Sequence, residues 1–220
     1  MPVVATLGGL LLRSAIWEGP REQPRIALTF DDGPSRSTPA LLDLLARHGA
    51  KATFFACGAN VRRYPEIARE VAARGHELGN HTDTHPNLFW MSNAAREPEI
   101  RRAQDSIRTA TGVEPRWFRP PYGFHGPGLS RLLRRMSLRS VFWTTIARDW
   151  VDPADRVTTR LRAGARPGAI LCLHDARALA PEPDISVTLA ALAATLPRWR
   201  DEGFQFVTLS ELVWTPSPSA

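Results

Sequence analysis

Residues 25–34 read RIALTFDDGP. Arg25–Asp31 is a β-rich run that ends in two adjacent carboxylates, Asp31 and Asp32, followed by Gly33. What lies downstream sets the fold class. Thr38–Gly49 reads as a helix, with Thr38 as N-cap, Pro39 in the first turn and Gly49 as the stop. Leu41, Leu44, Leu45 and His48 share one face of it. A second strand, Ala52–Cys57, leads to a helix over Tyr64–Arg74 and a third strand at Glu77–Asn80. Ala95–Thr111 is a long charged helix, with Glu99 and Arg102 spaced to pair along it. Strands at Trp117–Arg119, Ser140–Ile146, Ala169–His174 and Phe204–Leu209 then alternate with helices at Gly128–Met136, Pro153–Gly164 and Ile185–Glu202. Such alternation is the pattern of parallel β/α construction. About seven strands fit a single small or incomplete (β/α) barrel whose active site opens on the strand C-terminal face. A doubly wound open sheet is the alternative, but no glycine-rich dinucleotide fingerprint follows the first strand.

Composition narrows the function classes. The 220 residues are 43% hydrophobic and 23% charged, enough apolar content for one domain with its own core. Disordered, collagenous and coiled-coil classes are excluded. The net charge is +6, and Lys51 is the only lysine among the 28 basic residues. The arginines are scattered and no aromatic-interleaved basic stripe accompanies them, so no nucleic-acid partner is expected. Cys57 and Cys172 each sit inside an apolar run, which predicts two buried free thiols.

The ends of the chain carry less. Residues 1–22 contain a short apolar stretch, Val3 to Leu12, stopped by Arg13. It lacks a basic lead-in and a small-residue cleavage site, and it is too short to span a bilayer. It reads as a shortened or mis-started export or anchor segment, and it assigns no cellular address. Residues 23–214 form one domain, and residues 215–220 are a tail.

The chemistry gathers where strands end. The first strand finishes at Asp31-Asp32, the third runs into His81 with His85 four residues on, and the fourth ends at Arg119 before Pro120-Pro121-Tyr122. The fifth leads to Asp149-Trp150 and the sixth ends at His174. On a parallel barrel these five segments converge on one pocket. Two neighbouring carboxylates repel each other unless a cation intervenes. One Asp with two His leaves an open position for water, as a hydrolytic divalent-metal site requires, while the second Asp is free to take a proton. His48, His76 and His125 read as structural.

TFDDGP at Thr29–Pro34, HTDTHP at His81–Pro86, RPPYG at Arg119–Gly123, Asp149-Trp150 and LCLHD at Leu171–Asp175 together resemble the polysaccharide deacetylases. These are the NodB-like carbohydrate esterases, and the resemblance runs from about Arg25 to Val213. It implies a catalytic domain in a distorted β/α barrel and a divalent metal, zinc first, with cobalt or manganese also suited to a mixed N/O ligand set. By the same resemblance Asp31 is the catalytic base, and Asp32, His81 and His85 are the metal ligands. Arg119 aims the base, the Tyr122 N–H is the oxyanion donor, and His174 is the general acid oriented by Asp149. Trp150, Tyr122, Cys172 and Leu173 are expected to line the acyl pocket. The implied reaction removes N-acetyl groups from an amino-sugar glycan such as peptidoglycan or a chitin-like oligomer. The implied protein is a monomer that touches the cell envelope at most peripherally. Two positions depart from the family pattern, Ile146 where an Asp is frequent and Cys172 where a Leu is usual, and both bear on substrate preference. A small non-sugar amide as substrate, or a glycan-binding module without chemistry, are the competing readings.

Overall fold

The computed structural model describes residues 15–213. The opening stretch through Ser14 and the expected tail at residues 215–220 lie outside them. Seven parallel strands form one curled sheet: β1 (Arg25–Asp31), β2 (Ala52–Ala56), β3 (Glu77–Asn80), β4 (Trp117–Phe118), β5 (Arg139–Ser140), β6 (Thr145–Ile146) and β7 (Ile170–His174). Their order is β5-β4-β3-β2-β1-β7-β6, and β8 (Gln205–Phe206) pairs with the start of β1. Helices α1 (Thr38–Arg47), α2 (Gly58–Arg63), α3 (Pro65–Ala73), α4 (Asn93–Thr111), α5 (Leu129–Arg135), α6 (Ala154–Gly164) and α7 (Ser186–Asp201) link the strands. A short α8 (Leu209–Val213) follows β8.

Strand alternation builds two cores. On β1, Ile26, Leu28 and Phe30 join Leu41, Leu45, Leu192, Leu196 and Trp199 in the larger cluster beneath the helices. Ala27 falls instead in a second cluster with Phe55, Val141, Ile170 and Leu212. Thr29 and Asp31 share the parity of Ala27, so the strand's inner face turns from apolar to ionisable towards its C-terminus. Each large apolar side chain buried this way stabilises the fold by about 1.5–3 kcal/mol.

The expected single strand at Ser140–Ile146 is in fact two. Its ends serve opposite edges of the sheet, with Val141 N–H donating to Phe118 O and Thr144 N–H to Ile170 O. One extended segment therefore closes the curl without a helix, and its middle cannot belong to either ladder. Ile16 patches this seam: its N–H donates to Ser140 O and its carbonyl accepts from Phe142 N–H.

Other boundaries also moved. Thr38 is not an N-cap: α1 begins at Thr38 itself, and the hydroxyl donates to Asp175 Oδ2 at 2.6 Å. The expected strand to Leu209 stops at Phe206, because Thr208 and Glu211 form a reciprocal pair that starts α8. Helix α2 was not anticipated. Among the described residues no helix is long and apolar enough to cross a membrane. Both cysteines are free and buried.

Candidate active site

A cavity of about 490 Å³ opens at the strand C-termini. It is lined by Asp31, Asp32, His81, His85, Tyr122, Trp143, Ile146, Trp150, Cys172 and His174, among others. Parallel strands deliver these residues because β1, β2 and β7 run in register, with Asp31 beside His174. Leu173, expected on the pocket wall, is not there. It is fully buried in the larger core, since alternation turns Cys172 and His174 inward and Leu173 out towards the helices.

The two adjacent carboxylates live in different surroundings. Asp31 Oδ1 accepts from Arg119 Nη1 at 2.7 Å, and Oδ2 lies 3.4 Å from the Cys172 thiol, which donates to it. Arg119 is 0% exposed, and its guanidinium also reaches Thr29 Oγ1 at 2.8 Å and Phe142 O at 2.9 Å. The ring of Phe55 lies beneath it at 4.1 Å. Asp31 is thus oriented by a fixed cation. Burial, with the charge of Asp31 added, pushes the Cys172 thiol well above its ordinary pKa.

Asp32 faces the other way. Its Oδ2 accepts from Ala178 N–H at 2.7 Å, while buried Oδ1 has no hydrogen-bond partner. Facing that oxygen are His85 Nε2 at 3.1 Å and His81 Nε2 at 3.5 Å. His81 Nδ1 lies 2.7 Å from Arg119 O, a carbonyl that can only accept, so Nδ1 carries the ring proton. In that tautomer Nε2 presents a lone pair to a carboxylate oxygen. Lone pairs converging on one point need a cation between them. Asp32, His81 and His85 offer ligand atoms all within 4.8 Å of one another, and this donor set fits a divalent ion.

Backbone strain supports the arrangement. Asp32 (φ 80°), His85 (φ 59°) and Tyr122 (φ 60°) all occupy the left-handed region without being glycine. The Tyr122 ring packs edge-on against His85, with centroids 4.7 Å apart. Gly123 follows at φ +71°, and a Cβ there would meet the Trp143 ring at 2.7 Å, so only glycine lets this turn close over the pocket.

On the far flank, His174 Nδ1 lies 2.8 Å from Asp149 Oδ1, and Asp149 Oδ2 accepts from His174 N–H and Thr188 Oγ1. Burial lowers the His174 pKa, but the bond and charge of Asp149, with the charges of Asp32 and Asp31, carry it above the ordinary value. Burial pushes Asp149 up, yet His174 and Thr188 hold it below the usual carboxylate range. With Nδ1 committed, His174 turns Nε2 to the cavity. The half-exposed ring of Trp150 stands edge-on to it, 4.9 Å away.

Sequence reasoning missed Trp143, Thr188, Asn60 and Arg177. Asn60 donates to the carbonyls of Asp32 and Ala178, and Arg177 donates to Asp149 O. None stands in a strand-end motif, so no local signal marked them. Asp175 was visible beside His174, and its part is structural. It accepts from Gly33 N–H and Thr38 Oγ1, and burial, with Asp32's charge, pushes its pKa up to about 7. The three histidines read as structural sit elsewhere. His76 accepts from Ala52 N–H, His125 pairs with Ser130, and His48 caps the end of α1.

The chain is similar to proteins of known activity. It is 37% identical to a peptidoglycan-N-acetylglucosamine deacetylase of Listeria monocytogenes over 86% of its length, and spans 38% of that relative. It is 37% identical to a chitooligosaccharide deacetylase of a Bradyrhizobium species, over 85% of this chain and 90% of the relative. Its fold matches a solved peptidoglycan N-acetylglucosamine deacetylase in complex with 4-naphthalen-1-yl-N-oxidanyl-benzamide, with TM-score 0.88 and 30% identity over 96% of this chain and 98% of that one. Residues 18–141 match the model of the family described as polysaccharide deacetylase. With strand-end motifs, barrel and relatives in agreement, the chain belongs to the polysaccharide deacetylase family.

Proposed function

We propose that this protein hydrolyses the N-acetyl group of an amino sugar within a glycan, releasing acetate and a free amine. The observation that carries the reading is the pairing across one cavity of an arginine-held carboxylate and a carboxylate-held imidazole, with a cation-demanding cluster between them. Asp32, His81 and His85 would hold the divalent ion, which we assign as zinc; cobalt and manganese suit the same donors. Once bound, such an ion polarises the amide carbonyl and makes water a stronger acid. Asp31 Oδ2 takes a proton from the attacking water, while Arg119 keeps Oδ1 fixed. The Tyr122 N–H donates to the oxyanion as it forms, a type of donor typically worth about 3–4 kcal/mol. An amine leaves poorly unless protonated, so His174 Nε2–H delivers a proton as the C–N bond breaks. Asp149 supplies the charge that keeps His174 protonated until then. Trp150, Cys172 and Ile146 form the wall against the acetyl methyl.

The surroundings favour a polymer over a small amide. Tyr122, Phe124, Phe89 and Trp90 are exposed, and Phe89 packs against both Phe124 and Trp90. Phe89, Trp90 and Phe124 form an exposed aromatic shelf, and Tyr122, two residues before Phe124 in the chain, lines the cavity, an arrangement suited to the apolar faces of successive sugar rings. Acetate release from N-acetylglucosamine oligomers, peptidoglycan and small N-acyl amides, with and without chelator, tests the proposal. Release from the glycans that stops with chelator and returns with zinc is the expected result. Release from small amides alone would overturn the glycan assignment, and glycan binding without metal-dependent release would overturn the enzyme assignment.

A further inference from the structure

We infer that the cavity contains a second, inhibitory divalent-metal site, formed by Asp31 Oδ2, Cys172 Sγ and His174 Nε2. Three observations build it. The residues offer ligand atoms all within 4.8 Å of one another, as Asp32, His81 and His85 do. Tetrahedral zinc with bonds of its usual lengths sets ligand atoms about 3.3–3.8 Å apart, so small side-chain rotations close the site. The Cys172 Sγ to Asp31 Oδ2 separation, 3.4 Å, already has that spacing.

Each ligand atom is also the one its residue has left to offer. Arg119 occupies Asp31 Oδ1 and Asp149 occupies His174 Nδ1, and both interactions would orient the ligands on the ion. Cys172 is the third ligand only because a thiol stands where the family usually places an inert leucine. On binding, the Cys172 S–H bond and the His174 Nε2–H bond both break, the two protons leave to solvent, and metal–thiolate and metal–imidazole bonds form. The two positive charges of the ion are then balanced by the Cys172 thiolate and the Asp31 carboxylate, so the buried assembly is neutral. One thiolate, one imidazole and one carboxylate form a zinc-type donor set.

Occupancy would silence the enzyme. Asp31 Oδ2 and His174 Nε2 are the two atoms that move protons in the proposed reaction, and neither is available while ligated. Excess metal thus acts as an off switch encoded by one residue. The inhibitory role rests on the deacetylase reading; the site itself does not, because its main readout is spectroscopic.

The experiment titrates the metal-free full chain with Co²⁺, following bound metal and the near-ultraviolet thiolate-to-cobalt charge-transfer band. The expected result is two equivalents bound, with the thiolate band rising only with the second. Cys172→Leu should bind one equivalent and show no band, while Cys57→Ser should behave as wild type. Binding of that one equivalent also reports that Cys172→Leu is folded. Losing a direct ligand should raise the Zn²⁺ concentration that inhibits acetate release by at least about tenfold. A single equivalent without a thiolate band in the wild type would overturn the site, as would a band that survives Cys172→Leu.

Discussion

Two carboxylates guard opposite ends of the barrel. Glu77, at the start of β3, accepts from Thr53 Oγ1 at 2.9 Å, Trp117 Nε1 at 2.8 Å and Ser210 N–H at 3.1 Å, and it also bonds the Ser210 hydroxyl. Asp32, just past the end of β1, has a buried oxygen with no donor at all and two imidazoles aimed at it. Both carboxylates are drawn out of water, and only one is satisfied by the protein. A satisfied carboxylate ties elements together; an unsatisfied one is held ready for a cation, at a cost that the rest of the fold must cover.

The sharpest way to break this comparison is Asp32→Asn. It should bind no metal at the first site and lose at least about a thousandfold in acetate release, the scale of several kcal/mol of Lewis-acid assistance. Its melting temperature should hold or rise, because the amide oxygen can still accept from Ala178 N–H. Metal analysis and thermal unfolding on the same sample check both halves. Asp31→Asn separates the neighbours, since metal should remain while turnover drops by about 10²–10⁴.

Asp149→Asn probes the opposite flank. In the proposed reaction His174 acts in its protonated form, so turnover should fall as pH rises through its pKa, which Asp149 helps hold above the ordinary value of about 6.5. Without the carboxylate that alkaline limb should move to lower pH, read from a kcat–pH profile. At the barrel's other end, Glu77→Ala should cost about 1–3 kcal/mol of stability in denaturant unfolding and leave turnover of the folded enzyme intact. Loss of metal on Glu77→Ala would erase the distinction between the two ends. The smallest effect belongs to the shelf. Trp90→Ala should raise KM for long glycans about fivefold, a change of about 1 kcal/mol, and leave a single acetylated sugar unaffected.

The site was more legible in the sequence than the fold's closure was. Asp31, Asp32, His81, His85, Arg119, Asp149 and His174 each end or follow a strand in the chain, and parallel topology alone brings strand ends to one face. The seam at residues 140–146 was hidden because apolar content and length do not say which edge a residue pairs with. Leu173 was misplaced for a related reason: a motif names neighbours in sequence, while a strand sends neighbours to opposite faces. Thr188 was beyond reach, since it meets Asp149 only when α7 packs against the sheet.

Arg119 joins these threads. Its guanidinium accepts no load from solvent, yet one side grips the carbonyls of Val141 and Phe142 in the seam and the other holds Asp31. Barrel closure and the aim of Asp31, the proposed base, are therefore a single mechanical event, latched by one side chain. On warming, hydrogen exchange at Phe142 and Thr144 should quicken in step with the loss of the proposed turnover, ahead of global melting, so that the molecule fails first by coming unzipped.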